Sequence, residues 1–509
     1  MKVTWNTVTK AVILTASLFL LVIALLYHAP PVGEWDDFTL LTASLINDGN
    51  MSVSQSDIAA AKEIFPELAS TIDSYILTGY KTGSGAEIAW YFGTYSAFCV
   101  PAVLLLRALG LETTAAFPLT NVLLLIFMMW TVQRKCRLAP PKKLFLLLLL
   151  IVNPIVFYVH WMSAEVFIYA FIVLTMQYWL NGEYAKAALA VSIVSTLNPV
   201  ILVLGIFMIA EYLFKILKDN NALHWKTVIP CWFSHWKPII SYGLIYVIAL
   251  VPFAYNFYYT GHISLPGAAI GPENKIGAVF PRMWAYVSDL NFGYFPYYSL
   301  ILAVAAVMLL LACMKKFVPY LKIIACFVCL IFVYSFMPHI NCGMSGIARY
   351  NVWGAPILLF AVVYYISELF TAQNARRLAW VSVAGSTVFL AFIIYKYNPI
   401  LAKNTSGVAF TPIAQKVLTY CPALYNPLGS TFNSRVNHID GAYGYELPLY
   451  YADNTGEVRK IRANAESADT ILKELKGSDA DIKWLKEQLA KLGEKESYVN
   501  IDRKHQLTR

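Results

Sequence analysis

The chain has 509 residues, 58% of them hydrophobic and 14% charged, with a mean hydropathy of +0.57 and a formal net charge of +9. A water-soluble protein carries about a quarter of its residues as charges, so this composition excludes a soluble globular enzyme. The surplus of Lys and Arg does not indicate nucleic acid, because no basic–aromatic array accompanies it and membrane proteins collect these residues in cytoplasmic loops.

The first apolar run, Ala11–Tyr27, follows Lys2 and Lys10. Its flank, His28-Ala-Pro-Pro-Val-Gly33, offers no small-residue cleavage site, so the run reads as a retained anchor rather than a signal peptide. Further runs lie at 88–107, 115–133, 144–159, 164–180, 187–197, 199–217, 239–256, 298–313, 322–337, 350–370 and 378–396. Several approach the roughly 20 residues that cross a bilayer as helix. No alternating barrel pattern appears, so helices are the expected spanning form. The pair Cys326-Phe-Val-Cys329 sits inside one such run without further ligands and reads as packing.

Basic clusters give the direction of each crossing. Arg134-Lys-Cys-Arg137 with Lys142-Lys143, the segment from Lys215 to Lys237, Lys315-Lys316 with Lys322, and Arg376-Arg377 should all be cytoplasmic. With the N-terminus inside, crossings at 11–27, 88–107 and 115–133 would leave Arg134 to Lys143 outside. The loop 28–87 holds nine acids against Lys62 and Lys81, which suits the outer side. The run 88–107 contains Pro101, so it is expected to lie at the outer surface as a juxtamembrane or re-entrant helix. The fold expected is therefore an all-α polytopic membrane protein with about 11 transmembrane helices, outer juxtamembrane helices, a cytoplasmic N-terminus and an outer C-terminus. Its transmembrane module covers 1–396, with a long first outer loop over 28–113. A small extramembrane domain covers 397–509, where the charged stretch Ala465–Leu492 reads as helical.

Four outer segments could carry chemistry. Gly33-Glu-Trp-Asp-Asp-Phe-Thr39 places Glu34, Asp36 and Asp37 beside a Trp at the membrane surface. Three repelling carboxylates imply a raised pKa or a bound cation, and a raised carboxylate suits a general base; an acid-rich helix start is the plain alternative. Tyr158-Val-His-Trp-Met-Ser-Ala-Glu165 is a short turn in which His160 and Glu165 stand where apolar residues would cost nothing, next to an interfacial Trp161. The loop 257–297 carries Tyr258, Tyr259, His262, Glu273, Lys275, Arg282, Trp284, Asp289 and Asn291, a mixture that could stack on sugar rings and fix hydroxyls or form an aromatic belt. In Met337-Pro-His-Ile-Asn-Cys-Gly-Met-Ser-Gly-Ile-Ala-Arg-Tyr350, Arg349 opens a span from the outer side against the usual basic bias. With His339 nearby it suits a phosphate, or it snorkels to lipid headgroups.

Together these features resemble the GT-C superfamily of membrane glycosyltransferases over about residues 1–396. The resemblance rests on the short inside N-terminus, the acid-bearing first outer loop and short motifs. Those are Trp90-Tyr-Phe-Gly93 through Leu104-Leu-Leu-Arg-Ala-Leu-Gly110, Asn153-Pro154 through Glu165, Asn181-Gly-Glu-Tyr-Ala-Lys186 to Asn198-Pro199, and the Arg349-Tyr350 span opening. Within the superfamily the chain is most similar to bacterial serotype-converting O-antigen glucosyltransferases. The tail motifs Pro422-Ala-Leu-Tyr-Asn-Pro427 and Phe432-Asn-Ser-Arg435 fit that subgroup in style. The resemblance implies a polyprenyl-phosphate sugar donor, glucose the first candidate, and a glycan acceptor such as O-antigen or lipopolysaccharide. It implies work at the outer face of a bacterial inner membrane, with donor-synthesising and flippase proteins as partners and no nucleic acid. It implies Asp36 or Asp37 as the base, Glu34 beside them, and single displacement with inversion. Lys81, Arg282 and Arg349 would meet the donor phosphate, while His160, Trp161, Glu165, His339 and Tyr350 would line the substrates. If a divalent cation (Mg or Mn) takes part, Asp36 and Glu165 are its ligand candidates. Two other readings are a glycan polymerase or ligase, which would lean on large basic outer loops, and a lipid-linked glycan flippase, which would carry charges along a pathway inside the membrane.

Overall fold

The computed structural model describes residues 4–26, 34–72, 79–82, 87–265, 276–337, 347–397, 409–439 and 445–509. The chain is mostly helical and folds as two compact units. One comprises 1–273, 303–334 and 352–403; the other comprises 274–302, 335–351 and 404–509.

Among the described residues, six helices are long and apolar enough to cross a bilayer: Trp5–Leu25, Thr113–Lys135, Pro199–Asp219, Trp236–Thr260, Tyr294–Met314 and Arg349–Leu369. Their apolar surfaces support the membrane reading. Leu14, Leu18, Phe19 and Val22 stand exposed on the first helix, as do Leu244, Val247, Leu250 and Phe257 on the fourth. A soluble monomer rarely leaves such stripes in water; in a bilayer they face lipid. These are the helices that a multi-pass membrane protein requires. Thr94–Ala108, Glu165–Leu180, Tyr184–Ser195 and Val318–Tyr334 are apolar but shorter.

One break departs from the apolar runs of the sequence. The run 144–159 divides into a helix, Pro140–Ile151, and a 3-10 turn, Pro154–Tyr158. Pro154 has no N–H to continue the ladder. Asn153 covers the break: its Oδ1 accepts from the Ile155 N–H at 2.9 Å, and its amide donates to the Leu149 carbonyl and to the Tyr169 hydroxyl. Asn198 caps a second 3-10 turn, Pro199–Leu202, in the same manner. An Asn-Pro pair thus ends one helix and opens the next turn, with the Asn side chain accepting from a backbone N–H at the break.

The segment expected to form the first outer loop is folded where it is described. Helix Trp35–Asn47 packs against Gln55–Ile64 and Thr94–Ala108. Ser54 and Asp57 form a reciprocal capping box at the start of Gln55–Ile64. Strands Ser52–Val53, Glu87–Ala89 and Gly79–Lys81 pair antiparallel in that spatial order. Elsewhere in this unit Glu211 collects the Trp179 indole N–H at 2.7 Å, the Tyr184 hydroxyl at 3.3 Å and the Lys322 ammonium at 2.6 Å. This polar knot ties four elements of the apolar bundle together, and its charges neutralise each other.

The second unit has two apolar cores. Phe410, Ala414, Leu418, Tyr425, Phe432, Leu449 and Tyr451 form one; Val458, Ile461, Ile471, Leu485, Leu489 and Ile501 are among those forming the other. Strands Leu449–Ala452, Val458–Ala463 and Ser497–Asn500 make its antiparallel sheet. Within the stretch Ala465–Leu492, helices Ala468–Glu474 and Asp479–Leu489 are separated by a short strand, Lys476–Gly477.

Candidate functional site

Glu34 is the N-cap of helix Trp35–Asn47, and Asp36 and Asp37 lie in its first turn. The three acids have different surroundings. Glu34 accepts a hydrogen bond from the Tyr91 hydroxyl at 3.1 Å, a contact between positions 57 apart in the chain. Asp37 is wholly buried, with 0% of its surface exposed. Asp36 is half-buried, and its Oδ1 accepts from the Asp37 N–H at 3.1 Å. Burial raises the Asp36 pKa; the backbone bond opposes this, and the charge of Glu34 adds to it. The cluster therefore contains a partly exposed acid, Asp36, whose pKa burial raises.

Apolar and polar contacts join this helix to the turn at 159–165. Phe38, one residue beyond Asp37, packs against Tyr91 with ring centroids 5.3 Å apart and meets Tyr95 edge-on at 5.1 Å. The Ser96 hydroxyl donates to the Phe38 carbonyl at 3.1 Å. Tyr95 donates to Asn121 Oδ1 at 3.0 Å, and the Asn121 amide donates to the carbonyls of Val159 and Trp161 at 3.1 and 3.0 Å. Asn121 thus fixes the backbone of the turn. Within the turn Tyr158 and Trp161 stack obliquely at 4.8 Å, and Ser163 donates to the Glu165 carboxylate. Glu165 is 2% exposed at the start of its helix. It lies near enough to Tyr95 for its charge to act on that phenol.

His160 is 5% exposed, and burial lowers its pKa to about 4. At neutral pH it is an uncharged imidazole, suited to hydrogen bonding rather than to holding a phosphate by charge. The unfolded chain protonates His near pH about 6.5, before the folded one. Stability supplied by this site is therefore complete above about pH 6.5 and lost as pH falls toward about 4. Thermal unfolding of the detergent-solubilised protein across that window should show this acid slope, and His160→Gln should flatten it. An unchanged slope in the variant would remove the assignment.

The other sequence candidates have distinct places. Lys81 lies in the β-hairpin with 79% of its side chain exposed, paired to Glu87 at 3.5 Å. In the second unit, Arg282 is half-buried and donates to the Ser335 carbonyl at 3.4 Å, and burial lowers its pKa. Arg349 is half-buried at the first position of its helix, and Tyr350 packs its ring 6.3 Å from Tyr286. The next residue, Asn351, donates to the carbonyls of Tyr286 and Phe292 at 2.9 Å each. Helix Val279–Ser288, which carries Arg282, is therefore bonded to the helix start that carries Arg349. Asp289 and Asn291 are used inside the fold: Asp289 accepts from Tyr425 at 2.8 Å and from the backbone of Asn291 and Phe292. Tyr258, Tyr259 and Trp284 are exposed, whereas Glu273, Lys275 and His339 lie outside the described residues.

Among the described residues, no group of three or more His, Cys, Asp and Glu side chains could hold a metal ion, and Asp36 and Glu165 form no such set. The residues that organise the site, Tyr91, Tyr95, Ser96 and Asn121, are not evident from local motifs. Asn121 has one signal: an amide in the apolar run 115–133 has to find a partner there. The chain matches no protein-family model, no curated protein and no solved structure.

Proposed function

We propose that this chain is a GT-C-type membrane glycosyltransferase. It moves a sugar, glucose the first candidate, from a polyprenyl-phosphate donor to a cell-surface polysaccharide such as O-antigen or lipopolysaccharide. The observation that carries the reading is the half-buried, proton-seeking Asp36 directly after the first apolar helix. In this reading Asp36 takes the proton of an acceptor hydroxyl. The resulting oxygen attacks the anomeric carbon, and the bond from that carbon to the phosphate oxygen breaks with inversion. Asp37, being buried, positions the helix start rather than touching the acceptor. The departing polyprenyl phosphate gains negative charge, which a guanidinium or ammonium group would neutralise. Lys81 is a weak choice, since a side chain so exposed acts through water.

The topology that goes with this has about 11 crossings, the N-terminus cytoplasmic and the tail periplasmic in a bacterial inner membrane. Native cysteines can test it. Cys313, followed by Lys315-Lys316, and Cys421 in the tail are both exposed thiols. In intact spheroplasts an impermeant maleimide should label the single-cysteine chain that keeps Cys421 and spare the one that keeps Cys313. The reverse pattern contradicts the orientation. The function itself is tested by comparing surface polysaccharide from cells with and without the chain. A hexose branch gained with the protein supports the reading; identical polysaccharide with unchanged chain-length distribution argues against it.

A further inference from the structure

A cleft of about 580 Å³ lies at the basic end of the apolar bundle. It is walled by helices Trp5–Leu26, Pro140–Ile151, Arg349–Leu369 and Ala372–Tyr397, all contributing from within the first unit. Its surface is almost wholly apolar, with Phe145 and Ile366 among the walls and two tryptophans, Trp5 and Trp380, each about half exposed. Both charged side chains that line it are cations, Lys142 and Arg376. No carboxylate is among the lining residues. Lys142 is half-buried and Arg376 exposed, so both can reach a headgroup without first being released from a core.

This combination selects a ligand class. An apolar cleft of several hundred Å³ takes an elongated apolar molecule. Two cations without a nearby acid select an anion. Tryptophans of this exposure sit at the membrane–water boundary, which puts the cations at headgroup depth and the apolar walls at acyl depth. Basic recesses between spanning helices on the cytoplasmic side are where anionic headgroups dock. Arg134, Lys135, Arg137 and Lys143 crowd the same chain segment and give it a positive field. We propose that this cleft holds an anionic phospholipid of the inner leaflet, its phosphate between Lys142 and Arg376 and an acyl chain along Phe145 and Ile366. The bound lipid would fill the space between the first helix and the helices from 349 to 397, bracing the cytoplasmic end of the bundle. Lipid binding there is independent of what the outer face does.

Native mass spectrometry of the full-length protein in detergent tests this. The probes are phosphatidylglycerol, phosphatidylcholine as the zwitterionic control, and inorganic phosphate as the competitor. Wild type should retain phosphatidylglycerol at least about tenfold better than phosphatidylcholine, the factor that about 1.4 kcal/mol supplies. Lys142→Gln combined with Arg376→Gln should abolish that preference. Arg377→Gln, which alters a neighbouring cation outside the cleft, should keep it. The charge-preserving pair Lys142→Arg with Arg376→Lys should keep it too, which separates loss of charge from loss of fold. Equal retention of the two lipids by wild type, or a preference untouched in the double Gln variant, overturns the proposal. Displacement of the lipid by millimolar phosphate also overturns it, because that marks a site for free anion rather than for a lipid.

Discussion

Asp36→Asn is expected to lower sugar transfer by about 10²- to 10⁴-fold, the usual contribution of a positioned general base. The amide keeps the size of the side chain and can still accept from the Asp37 N–H, but it cannot take a proton. If Asp36 acts on the proton alone, the loss falls on kcat with KM nearly unchanged. A general base works in its deprotonated form. Burial raises the Asp36 pKa, so wild-type activity should fail on acidification at a higher pH than an ordinary aspartate, about 4, would give. Glu34→Gln removes the charge that adds to this shift and should move the acidic limb to lower pH while sparing most of the rate. Asp37→Asn should behave differently, as a loss of folded protein, because an altered group at a fully buried position acts on packing first. A pH–rate profile for the three variants separates these roles. An unmoved acidic limb in Glu34→Gln, together with full rate in Asp36→Asn, removes Asp36 from the chemistry.

The second large effect concerns stability of the second unit. Asp289→Ala is expected to cost about 3 kcal/mol, the scale of breaking a buried charge arrangement by deleting one partner. Asp289 is 3% exposed; burial raises its pKa, while the Asn291 N–H, the Tyr425 hydroxyl and the Phe292 N–H hold it down, with the nearby Arg435 charge pulling the same way. Arg435 is itself 1% exposed and donates to the Ala409 carbonyl at 2.8 Å. Removing the carboxylate takes the acceptor from the Tyr425 hydroxyl and the favourable charge from beside the buried guanidinium. Tyr425→Phe, which deletes one bond only, should cost nearer 1 kcal/mol. Hydrogen exchange of peptides covering 410–437 reads both: about 100-fold faster exchange for Asp289→Ala, and several-fold for Tyr425→Phe. Equal, small effects in the two variants would mean the carboxylate is not a keystone of this unit.

Composition and charge placement carry the membrane class, because apolar length and basic bias are local properties that act residue by residue. The apolar runs also locate most helices to within a few residues. They separate at Asn198-Pro199, where the structure has its turn, but miss the break at Asn153-Pro154, where the run stays apolar while its backbone changes course. A hydropathy pattern does not register a side-chain cap. The run 88–107 divides into strand Glu87–Ala89 and the 15-residue helix Thr94–Ala108; the strand pairs with distant Ser52–Val53 and Gly79–Lys81, which a local pattern does not register. The acid triad is visible as Glu34-Trp-Asp-Asp37, but its internal division is not. Alternation along one helical turn cannot say which acid is buried. That depends on Phe38 packing against Tyr91 and Tyr95, and on Asn121 holding the 159–161 backbone, contacts between segments remote in the chain. Asp289 and Asn291 read as polar loop residues available to a ligand; the structure uses them to hold Tyr425, 136 and 134 positions away.

Lipid-linked sugar transfer with Asp36 as base can be measured outright in proteoliposomes. The full-length chain is reconstituted with a polyprenyl-phosphate sugar radiolabelled in its glucose and with an O-antigen acceptor, and label in the polysaccharide is counted for wild type and Asp36→Asn. Label is expected with wild type, and about 1% of that label or less with the variant over the same initial-rate period. Label passing at the wild-type rate in Asp36→Asn, or no label with wild type from glucose or any other polyprenyl-linked sugar, contradicts this function.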